Sequence, residues 1–314
     1  MQNLIFKSLT ALRIYSLYYT MSIKTSVYDS TKVPPCVVEN GLNTCYMDAL
    51  FTAMFYRPSL LDNVLEKDPK DASAIFLQEL IKMKFVEPLR RHYSINENIM
   101  NEIRNYAVVC GWCKGDDYVD EQQDVSEFYI FLINILSVQY IEFEKTATDD
   151  DFKVVSSTKE KLPYIPLYPV DEFQSVRDLL RVWIDNNIVE LQNKTYHHYY
   201  KLANIPSYVP LHINRFDASG KRIKTKIDIM ERIMFFSIND TTQKNLRWKI
   251  HSMVCHSGET MKSGHYYTVL LTNDRKWLLF DDKLIPSIKQ IDINDYDIKD
   301  TLMMECMFLF YVLE

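Results

Sequence analysis

Glycine is scarce. The chain has 6 glycines in 314 residues, where average usage would give roughly 22. The same composition carries 21 Tyr and 16 Phe, a skew that AT-rich coding produces, and it makes each remaining glycine a more informative backbone marker. Cysteine is sparse too. Cys36, Cys45, Cys110, Cys113, Cys255 and Cys306 are too few for a disulfide framework in a chain this long, so reduced, cytosolic thiols are expected. No stretch reaches the ~18 uninterrupted apolar residues of a transmembrane helix. Nor is there a basic excess: 36 Lys and Arg against 42 Asp and Glu give a net charge of −6. That excludes a nucleic-acid protein held by a basic face and suits a partner with a basic contact patch.

What remains is an ordinary globular composition, 47% hydrophobic and 25% charged, enough for one large or two modest domains. The segment Met1 to Ser30 is basic and acid-poor, and reads as an untethered extension, with organelle targeting left open. After Pro34-Pro35, apolar residues recur at helical spacing from Tyr46 to Phe55, limited by Pro58. Ala74 to Glu87 and the stretch after Glu121, through Val125, Phe128, Leu132 and Leu136, repeat that pattern. Glu144 to Lys161 is polar and reads as a loop or short arm. From Tyr208 the texture turns to strands: Val209–Ile213, Trp248–Val254, Tyr266–Leu271, Trp277–Phe280 and Met307–Leu313. Helices first and strands later give an α+β layout.

Chemistry gathers at three points. Cys45 stands at the predicted start of a helix, where backbone N–H groups and the helix dipole lower a thiol's pKa and make it nucleophilic. Asn40, just upstream, is placed to add an amide N–H to the backbone N–H of Cys45 as an oxyanion hole. His265 opens a strand and Asp281 ends the next one, so neighbouring strands would bring imidazole and carboxylate together. Cysteine, histidine, aspartate is the chain order of papain-like proteases. Each element alone has a blander reading: a structural cysteine, a strand-opening histidine, a strand-end turn.

The local strings decide between these readings. Asn40 to Phe51, Glu121-Gln122-Gln123-Asp124-Val125-Ser126-Glu127-Phe128, Leu211-His212-Ile213-Asn214-Arg215-Phe216, His256-Ser257-Gly258 through Gly264-His265-Tyr266, and Trp277 to Asp282 occur in order. Together they resemble the catalytic domain of the ubiquitin-specific proteases, from about residue 34 to the end. The resemblance implies a papain-like fold with a helical thumb (about 34–137) and a β-sheet palm with reduced β fingers (about 138–314), after an extension at 1–33. It implies Cys45 as nucleophile, His265 as general base, Asp281 as orienting acid, Asn40 in the oxyanion hole, and Asp282 as a second polarising carboxylate. Asp124 and Glu127 would face the arginines of ubiquitin's Leu-Arg-Leu-Arg-Gly-Gly tail. Gly264 would let the backbone approach that tail and Tyr266 would be a cleft wall. The loop Ser257 to Ser263 matches one that can block the cleft and shift when ubiquitin binds. Implied with these are a cytoplasmic or nuclear monomer, ubiquitin and ubiquitinated proteins as partners, no nucleic acid, no membrane and no cofactor.

Two departures stand out. The finger region, roughly Val138 to Asn204, has no cysteine, which excludes the four-cysteine zinc ribbon found in many relatives. His197 and His198 there read as surface or packing residues, and Cys110 and Cys113 as free thiols. Asp48 stands where the family usually has Asn; pointed at the sulfur, its charge would oppose a thiolate. An active isopeptidase is the first reading. A ubiquitin-binding pseudoprotease scaffold, and a protease for another ubiquitin-like modifier, are the alternatives.

Overall fold

A computed structural model describes residues 36–69, 71–113, 122–170, 173–185, 187–191, 194–235, 246–261 and 263–314. The extension expected over 1–33, and Glu121 of the Gln-Gln-Asp string, lie outside them. The thumb holds helices α1 (Cys45–Phe55), α2 (Ala72–Ile81), α3 (Glu97–Val109) and α4 (Val125–Ile135), with short helical turns after α1 and α2. Helix α1 is buried along its whole length, Asp48 and Thr52 included. Tyr46 packs edge-on against Phe128 of α4 at 5.1 Å and accepts a hydrogen bond from Trp112 Nε1 at 3.0 Å.

The chain then runs through β1 (Ile141–Thr148), β2 (Val154–Leu162), β3 (Ile165–Leu167), β4 (Phe173–Ser175), α5 (Val176–Asp185), β5 (Asn187–Leu191) and β6 (Lys194–Leu202). Next come β7 (Tyr208–Ile213), β8 (Lys226–Asp228), β9 (Arg232–Phe235), β10 (Leu246–Thr260), β11 (Ser263–Leu271), β12 (Trp277–Phe280), β13 (Ile288–Ile291), α6 (Tyr296–Glu305) and β14 (Cys306–Leu313). The palm is a sheet ordered β13-β12-β11-β10-β14-β7-β3, with β9 also paired to β10. The palm seats α1 by hydroxyl contacts: Thr268 donates to the Ala49 carbonyl and Ser252 to that of Ala53, both at 2.6 Å.

Of the two readings of Glu144 to Lys161, loop or short arm, the structure has the arm: the segment belongs to a four-stranded antiparallel finger sheet, ordered β2-β1-β6-β5. Strand β2 is exposed along most of its length, so no buried face imposes an apolar alternation that its sequence would display. Aromatic packing holds the fingers. Trp183 of α5 stacks on Tyr200 at 4.1 Å and meets Phe143 edge-on at 5.1 Å. His197 stacks on Phe152 at 5.6 Å. Cys110 and Cys113 are free thiols.

Arg215 explains one of the sequence strings. Its buried guanidinium donates to the carbonyls of Thr225 at 2.6 Å and of Met303 and Cys306 at 2.8 Å. It thereby occupies carbonyls at the C-terminus of α6, the end that favours a cation.

Candidate active site

The loop before α1 is tightly determined. Leu42 and Asn43 both adopt left-handed backbone, φ 55° and 59°, which costs free energy for non-glycine residues and persists only where neighbours enforce it. Arg104 of α3 is one enforcer, donating to the Leu42 carbonyl at 2.5 Å and to Asn101 Oδ1 at 3.0 Å. Asn40 Oδ1 accepts from the Thr44 N–H at 3.1 Å, and Thr44 Oγ1 accepts from the Gly41 N–H at 2.8 Å. Cys45 follows as the first residue of α1, only 4% exposed.

The segment before this loop is bonded to the turn after β12. Val38 N–H donates to Ser287 Oγ at 2.9 Å, Ser287 N–H to the Cys36 carbonyl at 2.9 Å, and Asp281 N–H to the Ser287 carbonyl at 2.8 Å. That splice delivers Asn40 to Asp282, its Nδ2 donating to Asp282 Oδ2 at 2.7 Å. Asn40, expected beside the nucleophile's N–H, thus has its amide anchored on a carboxylate, an anchorage that depends on contacts remote in sequence.

His265 and Asp281 meet as strand adjacency predicts. Strands β11 and β12 pair with Thr268 opposite Phe280, so both residues fall at one end of the pair. His265 Nε2 lies 2.8 Å from Asp281 Oδ1 and 3.3 Å from Asp282 Oδ1. With Nε2 facing both carboxylates, Nδ1 is the nitrogen left for the thiol. Burial raises Asp281, but the His265 hydrogen bond, the Lys283 N–H and the His265 and Lys283 charges outweigh it and hold its carboxyl below the usual range.

The thiol differs from expectation. Burial pushes Cys45 up to about 12, and Asp282 and Asp48 add to this; the Tyr266 N–H and the Lys283 charge only partly offset them. The helix start alone predicts a lowered value, but desolvation of the charged form is the larger effect here. Among the described residues no hydrogen bond joins Cys45 Sγ to His265. Asp48 sits at the end of this chain of contacts, wholly buried, receiving Thr44 Oγ1 at 3.1 Å.

Four further expectations resolve as follows. Asp124 is the N-cap of α4, its Oδ1 accepting from Ser126 N–H at 2.6 Å, Ser126 Oγ at 2.5 Å and Glu127 N–H at 3.2 Å, a cap typically worth about 1 kcal/mol. Glu127 is exposed; partial enclosure and the neighbouring Asp124 raise its carboxyl. Tyr266 packs as a sheet aromatic: it is 1% exposed, and its hydroxyl accepts the Val125 N–H at the start of α4. Apolar packing between sheet and thumb takes the ring, and its backbone N–H faces the sulfur. A Cβ at Gly264 would overlap the His256 ring and the Ser257 carbonyl, so the close approach this glycine permits is internal to the hairpin.

The loop expected over Ser257 to Ser263 is corrected. Strand β10 continues to Thr260 and β11 begins at Ser263, paired Thr260 to Ser263 and Ser257 to His265 with a bulge between. Gly258 supplies the φ of 147° that the bulge needs. Arg222 clamps it, donating to the Gly258 carbonyl, to the His256 carbonyl at 2.6 Å and to His256 Nδ1 at 2.8 Å. Gln122 meets His256 Nε2 at 3.3 Å, tying thumb to palm. Sequence reasoning missed Arg222 and Arg104 as supports of the site. For Arg104 a signal existed: Asn96 followed by Met100, Ile103 and Ala107 reads as a capped helix.

Comparison with known proteins gives a consistent picture. The family model for ubiquitin carboxyl-terminal hydrolase matches residues 36–311. The chain is similar to ubiquitin carboxyl-terminal hydrolase 17-like protein A of Mus musculus, 20% identical over 91% of this chain and 58% of that protein. It is also similar to ubiquitin carboxyl-terminal hydrolase creB of Emericella nidulans, 23% identical over 31% of this chain and 13% of that one. It thus spans well under two thirds of the length of these relatives. Among solved structures it resembles a chain of the SAGA DUB module Ubp8/Sgf11/Sus1/Sgf73 bound to monoubiquitin, with TM-score 0.66, 15% identity, and coverage of 98% of this chain and 76% of that one. The same module bound to ubiquitin aldehyde matches with TM-score 0.64.

Proposed function

The chain belongs to the ubiquitin carboxyl-terminal hydrolase family, and on that premise we propose that it is a thiol-dependent deubiquitinase, cleaving the isopeptide or peptide bond after the C-terminal glycine of ubiquitin. The observation that carries this reading is the 2.8 Å contact of His265 Nε2 with Asp281 beside a cysteine at a helix N-terminus. The solved relatives' complexes with monoubiquitin and ubiquitin aldehyde support ubiquitin as the modifier.

In this mechanism His265 Nδ1 takes the Cys45 proton and Sγ attacks the glycine carbonyl carbon. The resulting oxyanion is met by the Cys45 backbone N–H and the second amide proton of Asn40. Imidazolium, stabilised by Asp281 and Asp282, protonates the departing amine. Water, deprotonated by His265, then attacks the thioester; the C–S bond breaks and Cys45 leaves as a thiolate that recovers the proton from His265. Asp124 and Glu127 receive the tail's arginines, whose positive charges relieve the repulsion between these two neighbouring carboxylates.

One observation favours a second reading, a ubiquitin-binding scaffold: the thiol is held neutral, pushed up to about 12, and among the described residues no hydrogen bond joins it to His265. On the first reading the tail brings thiol and imidazole together on binding. Hydrolysis of ubiquitin bearing a fluorogenic C-terminal amide separates the two. Turnover abolished in Cys45→Ala establishes the enzyme; binding without turnover establishes the scaffold. Faster cleavage of a fluorogenic derivative of another Gly-Gly modifier would reassign the substrate.

A further inference from the structure

Beneath the nucleophile, two carboxyl groups from residues 234 positions apart face each other. Asp48 projects from α1 and is wholly buried; the Asp282 side chain is likewise inaccessible. The carboxyls are hydrogen-bonding neighbours. Asp48 Oδ1 is buried without a hydrogen-bond partner, and Asp282 Oδ1 is buried with only His265 Nε2, at 3.3 Å, facing it. Two ionised carboxylates cannot satisfy each other, because neither carries a donor. One proton between them satisfies both.

We propose that Asp48 retains this proton and donates it to Asp282, closing a ring of contacts under Cys45 and making Asp48 a positioning residue of the reaction. The other links of the ring are Asn40 Nδ2 to Asp282 Oδ2 at 2.7 Å, Thr44 N–H to Asn40 Oδ1 at 3.1 Å, and Thr44 Oγ1 to Asp48 Oδ2 at 3.1 Å.

The groups around the pair decide which acid keeps the proton. Burial raises Asp282 too, and Asp281 adds to it, but the His265 charge and the hydrogen bonds from Asp48 and Asn40 all favour its ionised form. Asp48 has a single donor, Thr44, while burial and the Asp282 charge hold it well above the usual carboxylate range. From the other elements, Cys45 lies on the same helix, His265 comes from β11, and Asp281 and Lys283 flank Asp282. Lys283 is the nearby lysine that acts on Cys45, and no cation is among the groups acting on Asp48.

The ring has two consequences for the proposed hydrolysis, on which this inference rests. It fixes Asp282 beside His265 Nε2 and aims the Asn40 amide. It also removes one negative charge from beside the sulfur, since both carboxylates oppose a thiolate. A protonated aspartate here does what an asparagine amide would do: it donates to Asp282 without adding charge.

The test uses the full chain labelled with carboxyl-13C aspartate, titrated by NMR, together with pH profiles of ubiquitin-amide hydrolysis for the wild type, Asp48→Asn and Asp48→Ala. The expected spectrum has one aspartate carboxyl in the protonated position at neutral pH, absent in Asp48→Asn. Asp48→Ala should lower kcat by about tenfold or more with KM unchanged, the size expected for a buried carboxylate left short of a donor. Asp48→Asn should restore most of that loss and lack the wild type's alkaline fall in kcat. No protonated aspartate in the wild type at neutral pH would overturn the proposal, as would equal impairment of the Asn and Ala variants at every pH. If the wild type hydrolyses nothing, the deubiquitinase reading fails, while the NMR titration still decides the shared proton.

Discussion

The amide of Asn40 donates to Asp282 Oδ2 at 2.7 Å across 242 positions of sequence. The contact joins the loop that presents the nucleophile to the strand end that presents the carboxylates. Misplacing either group therefore misplaces the other.

The two carboxylates at His265 Nε2 have separable duties. Asp281 is the nearer, at 2.8 Å against 3.3 Å for Asp282. Asp281→Asn should lower kcat on the order of 10²–10⁴-fold, the range over which a misoriented base loses its effect. Asp282→Asn should cost less at the histidine. Steady-state kinetics on a ubiquitin amide checks this; Asp282→Asn as the more damaging change would reverse the assignment.

Cys45 should be sluggish in the free protein. Burial pushes it up to about 12 from an ordinary 9.0. Its thiolate fraction near pH 8 is then about a thousandfold below that of an ordinary cysteine. The sign follows directly: a raised thiol pKa means reactivity climbs with pH through the alkaline range. Rates of iodoacetamide labelling at Cys45, read by peptide mass spectrometry against the half-buried Cys110, test it. Labelling of Cys45 as fast as that of Cys110 at pH 8 would contradict this.

The fingers stand on aromatic packing. Trp183 is 6% exposed and stacked on Tyr200 at 4.1 Å. Trp183→Ala should cost about 3–5 kcal/mol in urea unfolding. A chelator should leave the Tm unchanged. A Tm that falls with chelator would show a metal holding this arm.

Glu127 is expected to act on binding rather than on chemistry. Glu127→Gln should raise KM several-fold, by loss of about 1 kcal/mol of charge-assisted contact, with kcat unchanged. Because partial enclosure and Asp124 raise its carboxyl, it takes up its proton at a higher pH than an ordinary glutamate. KM should therefore climb as pH falls toward the upper edge of the carboxylate range, and this limb should vanish in the variant. An unchanged KM profile would remove Glu127 from the tail site.

The legible parts of this fold were those with a buried pattern. Helix α1 and strands β7, β10, β11, β12 and β14 bury apolar residues, and the sequence reading located all six. Strand β2 escaped because it is exposed and polar. Helix α5 escaped although Val176, Leu179, Leu180 and Trp183 repeat at helical spacing on its buried face, because that stretch lay inside a region read only as an arm. At the site, the residue types and their order were readable, since chemistry restricts them to few choices. The neutral thiol and the direction of Asp48 were not. Both follow from desolvation and from contact with Asp282, which no local string encodes. Tyr266 shows the same limit: its place beside His265 was plain, but whether its ring faced cleft or core depended on α4.

The central claim is that Cys45 attacks the ubiquitin C-terminus. It is tested most directly by intact mass after mixing the protein with ubiquitin bearing a C-terminal electrophile, with Cys45→Ala as control. The account predicts a gain of one ubiquitin mass in the wild type and none in the variant. No gain in the wild type, with ubiquitin binding still measurable by titration, would contradict it and leave a binding scaffold.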